Sequence, residues 1–121
     1  MKGLMQQKQY RQRFLIKQGK DYVFLTSASV AFIYSEGGLT FIVDTKGKRH
    51  LLDHSLEQLA KQLDPEQFFR ISRKMVVAIG AVQKINNYFN HRLKLDLNPI
   101  SPVDAIVSRD RARDFKAWLD R

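Results

Sequence analysis

Residues 68–79 read FFRISRKMVVAI. Both ends are apolar enough to be buried strand, yet the middle carries Arg70, Arg73 and Lys74. Three cations between two apolar runs must find acidic partners, stay in water or meet a polyanion, because a lone buried charge is too costly. In an extended chain Phe69 and Ile71 face one side, Arg70 and Ser72 the other. Arg73-Lys74 then fits a turn or strand break, and MVVAI resumes as a second strand. Read as strand–turn–strand, the stretch projects Arg73 and Lys74 into solvent from a base set by Phe69, Ile71, Met75 and Val77. Long basic side chains on a rigid turn suit a DNA groove, since arginine can bond guanine bidentately and lysine can neutralise a phosphate. The plainer reading is a hairpin tip kept soluble by charge.

Working back toward the N-terminus, DHSLEQLAKQLDP places Leu56, Leu59, Ala60 and Leu63 at helical spacing. Ser55 and Gln58 form a capping box and Pro65 marks the far limit, so a short helix is expected over about 55–63. Before it, RFLIKQGKDYVFL, VAFIYSEGGLTFIV and FIVDTKGKRHLL each hold two apolar runs around a Gly-containing turn, rich in the aromatic and β-branched residues that strands prefer. This half reads as a β-meander. Residues 1–13 are polar and basic without a clear period and read as a linker remnant, leaving a domain over 14–121.

Toward the C-terminus, VQKINNY and RLKLDL make a strand pair joined through FNHR, with Leu93, Leu95 and Leu97 alternating with Lys94 and Asp96. NPISP is a loop, because two closely spaced prolines rule out helix interior and central strand alike. VDAIV is a last strand and SRDRARDFKAWLDR a closing helix, about 109–120. The organisation is one mainly β domain with two short helices.

Length and composition agree. The chain has 121 residues, 44% of them hydrophobic and 27% charged, which fits one ordinary folded domain. No apolar run is long enough to span a bilayer, the N-terminus lacks the apolar middle of a signal peptide, and there is no cysteine. A cytoplasmic chain with no membrane partner is the expectation. Twenty-one Lys and Arg against twelve Asp and Glu give +9, which points to a polyanionic partner.

In the closing helix Ser108 is a natural N-cap, with Ala112, Phe115, Trp118 and Leu119 on one face and Arg109, Arg113 and Lys116 on a separate stripe. Cations at the positive end of the helix dipole are unfavourable there, but the free N–H groups beside them suit an incoming phosphate. The alternative is a solvated basic face softened by Asp110 and Asp114. His50 and His54 lie four apart around Asp53, yet at a strand end and before a helix cap, so no metal is expected. No Gly-rich phosphate loop, nucleophile elbow or informative carboxylate pair is present, so neither an enzyme nor a cofactor is expected. Tyr34, Phe41, Tyr88 and Phe89 could stack on unpaired bases, but aromatics in a β-rich domain are more often core. Tyr88-Phe89, beside the NHR turn, is the pair left open.

DPEQFFRISRKMVV, followed about thirty residues later by VSRDRARDFKAWL, resembles the LytTR family, the DNA-binding output domain of many bacterial response regulators. The family signature is an F-x-R-x-x-R/N-S-x-x-V-N stretch after a short helix, then a V-S-R entering the last helix. The resemblance runs from RFLIK to the end, with YSEGGLTFIV similar to the family's hairpin and YFNHRLKLDL to its late strand pair. It implies antiparallel sheets stacked in an elongated β-sandwich whose loops enter successive major grooves. The family's base readers lie in the loop after the second hairpin, in the F-x-R stretch and in V-S-R. Carried over, these are Thr40, Arg73 and Arg109, with Lys74, Ser108 and Arg113 as phosphate contacts. Ala78 departs from the pattern, standing where the family usually has an Asn that ties down the following turn, and His91 stands where a small residue is usual. The resemblance further implies sequence-specific duplex binding in transcription regulation, on repeated half-sites and as a homodimer. An N-terminal receiver domain and a sensor histidine kinase belong to the full system, and LMQQKQYRQR resembles the linker after such a receiver. The rivals are a binder of single-stranded nucleic acid or RNA and a protein-interaction module.

Overall fold

The computed structural model describes residues 9–121. Among these residues ten strands and two α-helices run in the order β1 (Arg13–Gln18), β2 (Asp21–Thr26), β3 (Val30–Glu36), β4 (Leu39–Asp44), β5 (Arg49–Leu52), α1 (Leu56–Ala60), β6 (Phe68–Ser72), β7 (Met75–Ala78), β8 (Val82–Tyr88), β9 (Arg92–Leu97), β10 (Ala105–Val107) and α2 (Arg109–Leu119). They form three antiparallel sheets: β1-β2, the central β5-β4-β3-β7-β6, and β10-β9-β8.

The central sheet is buried on both faces, which is why β3 reads as a continuous apolar run rather than an alternating one. Phe32, Tyr34, Val43, Met75 and Val77 face the three-stranded sheet, packing with Leu93, Leu95, Val107 and, from α2, Phe115 and Trp118. Ile33, Ile42 and Val76 face the other way, against Phe14 and Ile16 of β1 and Leu56 and Leu59 of α1. The result is the elongated stack of antiparallel sheets expected above, with one helix packed into each core.

Two expectations need correction. The first half is not one meander: only β3-β4-β5 is continuous, while β1-β2 separates into its own sheet and covers one face of the central one. The first helix is also shorter than 55–63. Its capping box forms, Ser55 Oγ accepting from the Gln58 N–H and Gln58 Oε1 from the Ser55 N–H, both at 3.1 Å. At its other end the Gln62 N–H turns back to Leu59 O at 2.8 Å, three residues away, and the chain leaves the helix. Leu63 extends the helical spacing because it is buried in the same core, although it lies outside the helix.

The hairpin turns follow local chemistry. Glu36 pairs with Leu39 across Gly37 and Gly38, whose φ of 59° and 80° suit a tight two-residue connection. Between β4 and β5, Asp44 Oδ1 accepts the N–H groups of Lys46 and Lys48, both at 2.9 Å. Its Oδ2 lies 3.2 Å from His50 Nε2, and since an ionised carboxylate only accepts, that nitrogen donates. Burial opposes the charge on Asp44, but the Lys48 N–H, the His50 ring and the Lys46 N–H outweigh it and hold the carboxyl below its ordinary range. A carboxyl depressed in the folded state stabilises above its unfolded pKa, and that contribution is lost as pH falls through the folded value. Asp44→Asn is therefore expected to cost about 1–3 kcal/mol near neutral pH. In urea titrations the gap from the parent should shrink once pH drops below about 3.9. A gap independent of pH would contradict the account.

Candidate nucleic-acid interface

The β6–β7 hairpin is closed by Arg73 and Lys74, with Ser72 paired to Met75, and both basic side chains are exposed. Phe69, Ile71, Met75 and Val77 do form the base beneath them, all packed in one core. Ile71 is the extra residue where the β6–β7 register shifts, and its carbonyl accepts the Ser108 N–H at 2.9 Å. That bond ties the hairpin to the junction between β10 and α2, so Arg73 and Arg109 each lie within two residues of it.

The third cation of the stretch has a different fate. Arg70 Nη1 bonds Glu57 Oε1 of α1 at 2.8 Å, while Nε and Nη2 donate to Ser72 O and Arg73 O at 3.2 and 2.9 Å. Glu57 is held below the ordinary carboxylate range, first by this hydrogen bond and by the charge of Arg70, with Lys61 and Arg111 adding. Arg111 Nη1 in turn reaches Arg70 O at 3.3 Å. Arg70 is thus a brace across the back of the Arg73-Lys74 turn, whereas Arg73, Lys74, Arg109 and Arg113 form no salt bridge among the described residues.

Strand register gathers four connections at one end of the sheets. Tyr34 pairs with Met75 and the Ser35 N–H bonds Lys74 O at 2.9 Å, which sets the Gly37-Gly38 turn beside Arg73-Lys74. Val107 pairs with Leu93 and Tyr88 with Arg92, which sets the start of α2 beside the β8–β9 turn. Beside the hairpin lies an open cleft of about 650 Å³, whose lining includes Thr40, Arg70, Arg73, Lys74 and His54.

Not every expected site residue is presented in the same way. Arg73, Lys74, Arg109 and Arg113 are exposed at or near this end, the last two with Lys116 along the solvent side of α2. Thr40 lies inside β4 rather than in a loop, paired with Ser35 and Leu52 and only 6% exposed. The exposed part of that hairpin is Glu36, Gly37, Gly38 and Leu39. Ser108 occupies the N-cap position, but its N–H is committed to Ile71, and its buried hydroxyl makes only a poorly aligned approach to the Asp110 carboxylate. The neighbouring Asp110 carboxyl is held below its ordinary range by the Ser108 hydroxyl, its own N–H, Arg111 and Arg109, so an acid already serves the first turn of α2.

Other candidates resolve into structure. Tyr34 is buried, its hydroxyl accepting from Arg49 Nη1 at 3.2 Å, and the Arg49 guanidinium lies 4.4 Å from the centre of the Phe41 ring. His50 pairs with Asp44, and His54 lies apart on the cleft wall. At Ala78 the turn is tied by backbone, the Ile79 N–H donating to Gln67 O at 2.8 Å. Among the described residues no helix is long and apolar enough to cross a membrane.

Residues 20–120 match the family model of the LytTr DNA-binding domain. Over 44 residues the chain is 41% identical to an uncharacterized response regulatory protein of Vibrio cholerae, a match covering 36% of this chain and 17% of that relative. Among solved structures it is similar to the LytTr DNA-binding domain of a methyl-accepting/DNA response regulator from Bacillus cereus. That match has a TM-score of 0.79 and 15% identity, and it covers 92% of this chain and 99% of the other.

Proposed function

Because this chain belongs to the LytTr DNA-binding domain family, we propose that it binds duplex DNA sequence-specifically and serves as the output domain of a two-component response regulator. The observation that carries the reading is the Ser108–Ile71 bond, which holds two exposed arginines, Arg73 and Arg109, at one end of a rigid stack. Turns on such a base enter successive major grooves without a recognition helix. Arg73 and Arg109 read base edges, where bidentate arginine–guanine pairing gives discrimination. Lys74 and Arg113 take phosphates and set register.

Thr40 contributes from the wall of the cleft, and the exposed tip at Gly37, Gly38 and Leu39 makes the first approach. Ser108 acts through position, by orienting Arg109, rather than through its hydroxyl. Repeated half-sites, bound by two copies side by side, fit a domain with one reading end. A receiver domain N-terminal to the chain and a sensor kinase upstream of it complete the proposed system, in the cytoplasm.

Lys74→Ala tests the phosphate role. Its affinity should fall alike on all duplexes, and the log–log salt slope, about −4 to −5 for five neutralised phosphates, should shrink by about 0.9. An unchanged slope would remove Lys74 from the phosphate contacts.

Arg70→Ala tests the brace. Loss of its charged hydrogen bonds should weaken duplex binding by about 1–2 kcal/mol, yet leave the salt slope as it was, because the residue neutralises no phosphate. Glu57→Gln should shift affinity in the same direction by less, its side chain being largely exposed. A slope that falls with Arg70→Ala would make Arg70 a DNA contact instead.

A further inference from the structure

The β8–β9 turn, residues 89–91, is the fourth connection at the end that carries the Arg73-Lys74 turn and the start of α2. It lies against α2, whose solvent side carries Arg109, Arg113 and Lys116. Phe89 is 71% exposed, and its ring lies 4.9 Å from the ring of Tyr88. Asn90 and His91 follow at φ of 58° and 61°, in the left-handed region that side chains rarely adopt. Two such residues in succession give the turn a tight shape, and strained backbone of this kind clusters at binding surfaces.

Arg92 completes the arrangement. Its guanidinium sits 5.0 Å from the centre of the Tyr88 ring, and Nε donates to Phe89 O at 3.1 Å. The two Nη groups carry no hydrogen bond among the described residues, so they keep donors for an anion. Arg92 shares a groove of about 480 Å³ with Lys74 and Ser108, which joins this turn to the arginine-bearing end. Glu36 and Asp104 also line that groove, and Lys94 lies 3.7 Å from Asp104. Both acids are exposed and Lys94 offsets Asp104, so the anion contact is placed at the Arg92 Nη groups rather than in the groove as a whole.

We propose that the β8–β9 turn is an additional DNA contact, taking the sugar–phosphate backbone that flanks the bases faced by Arg73 and Arg109. The Nη groups of Arg92 bind phosphate, and the exposed Phe89 ring packs against deoxyribose. The proposal rests on the duplex-binding reading above.

The test is photocrosslinking with p-benzoylphenylalanine in place of Phe89, and of Leu15 as a control exposed on the separate β1-β2 sheet. Each is irradiated with pooled random duplex in low salt. Crosslinking from position 89 and none from 15 is the expected result. Equal crosslinking from both, or none from 89, overturns the proposal. Phe89→Glu, at a site too exposed to disturb the core, should weaken duplex binding several-fold with an unchanged melting temperature, and unchanged affinity would also overturn it. Failure of the base-reading assignment looks different: Arg109→Ala would leave sequence preference intact whatever position 89 does.

Discussion

Arg109→Ala should bind the chain's own target duplex about 1–3 kcal/mol more weakly and lose its preference at one base-pair position. Its side chain is exposed at the start of α2 and forms no salt bridge among the described residues, so the folded state loses little on truncation. A guanine read through two hydrogen bonds loses both at once, whereas the other positions keep their readers. The check is a set of duplexes, each altered at one position, titrated with parent and variant. Flattening at one position with an unchanged melting temperature is the expected pattern. A uniform loss at every position would make Arg109 a phosphate contact.

The second large effect is on stability. Phe115 is fully buried, its ring edge-on to Phe69 at 5.3 Å and 70° and 5.8 Å from Trp118. Trp118 adds a bond from Nε1 to Pro65 O at 2.8 Å, which fastens the far end of α2 to the segment before β6. Phe115→Ala removes the ring on which this corner is built and should cost about 3–5 kcal/mol. Against a total stability of about 5–15 kcal/mol, the urea midpoint should fall steeply with the slope retained. Because α2 carries both Arg109 and Arg113, DNA binding should decline only where the fold does. A variant that stays folded with normal stability would show that the aromatic cluster does not anchor the helix.

Much of the architecture is legible in the residues because turn chemistry and alternation are local. Gly37-Gly38, the Ser55–Gln58 box and the Leu93–Leu97 alternation each declare themselves within a few positions. Sheet membership is not local. β3 lies beside β7, with about forty residues between Tyr34 and its partner Met75, and β1-β2 covers a face that no periodicity in the chain announces. The same distinction runs through the site. Arg73 and Lys74 are readable as exposed cations from the two apolar runs around them. Arg70 is not readable as a brace, since its partner Glu57 sits 13 residues away on another element. The burial of Thr40 and of the Ser108 hydroxyl depends on neighbours supplied by β3, β5 and β6. His50 gives a weak local hint, because Asp44 lies just across its hairpin.

The central claim is sequence-specific recognition of duplex DNA, and selection from randomised duplex tests it most directly. The chain should enrich a defined motif, and excess single-stranded DNA or RNA should not displace it from that motif. Pooled duplex bound only in low salt, with no motif enriched, would contradict the account and leave the +9 charge as a general affinity for polyanions.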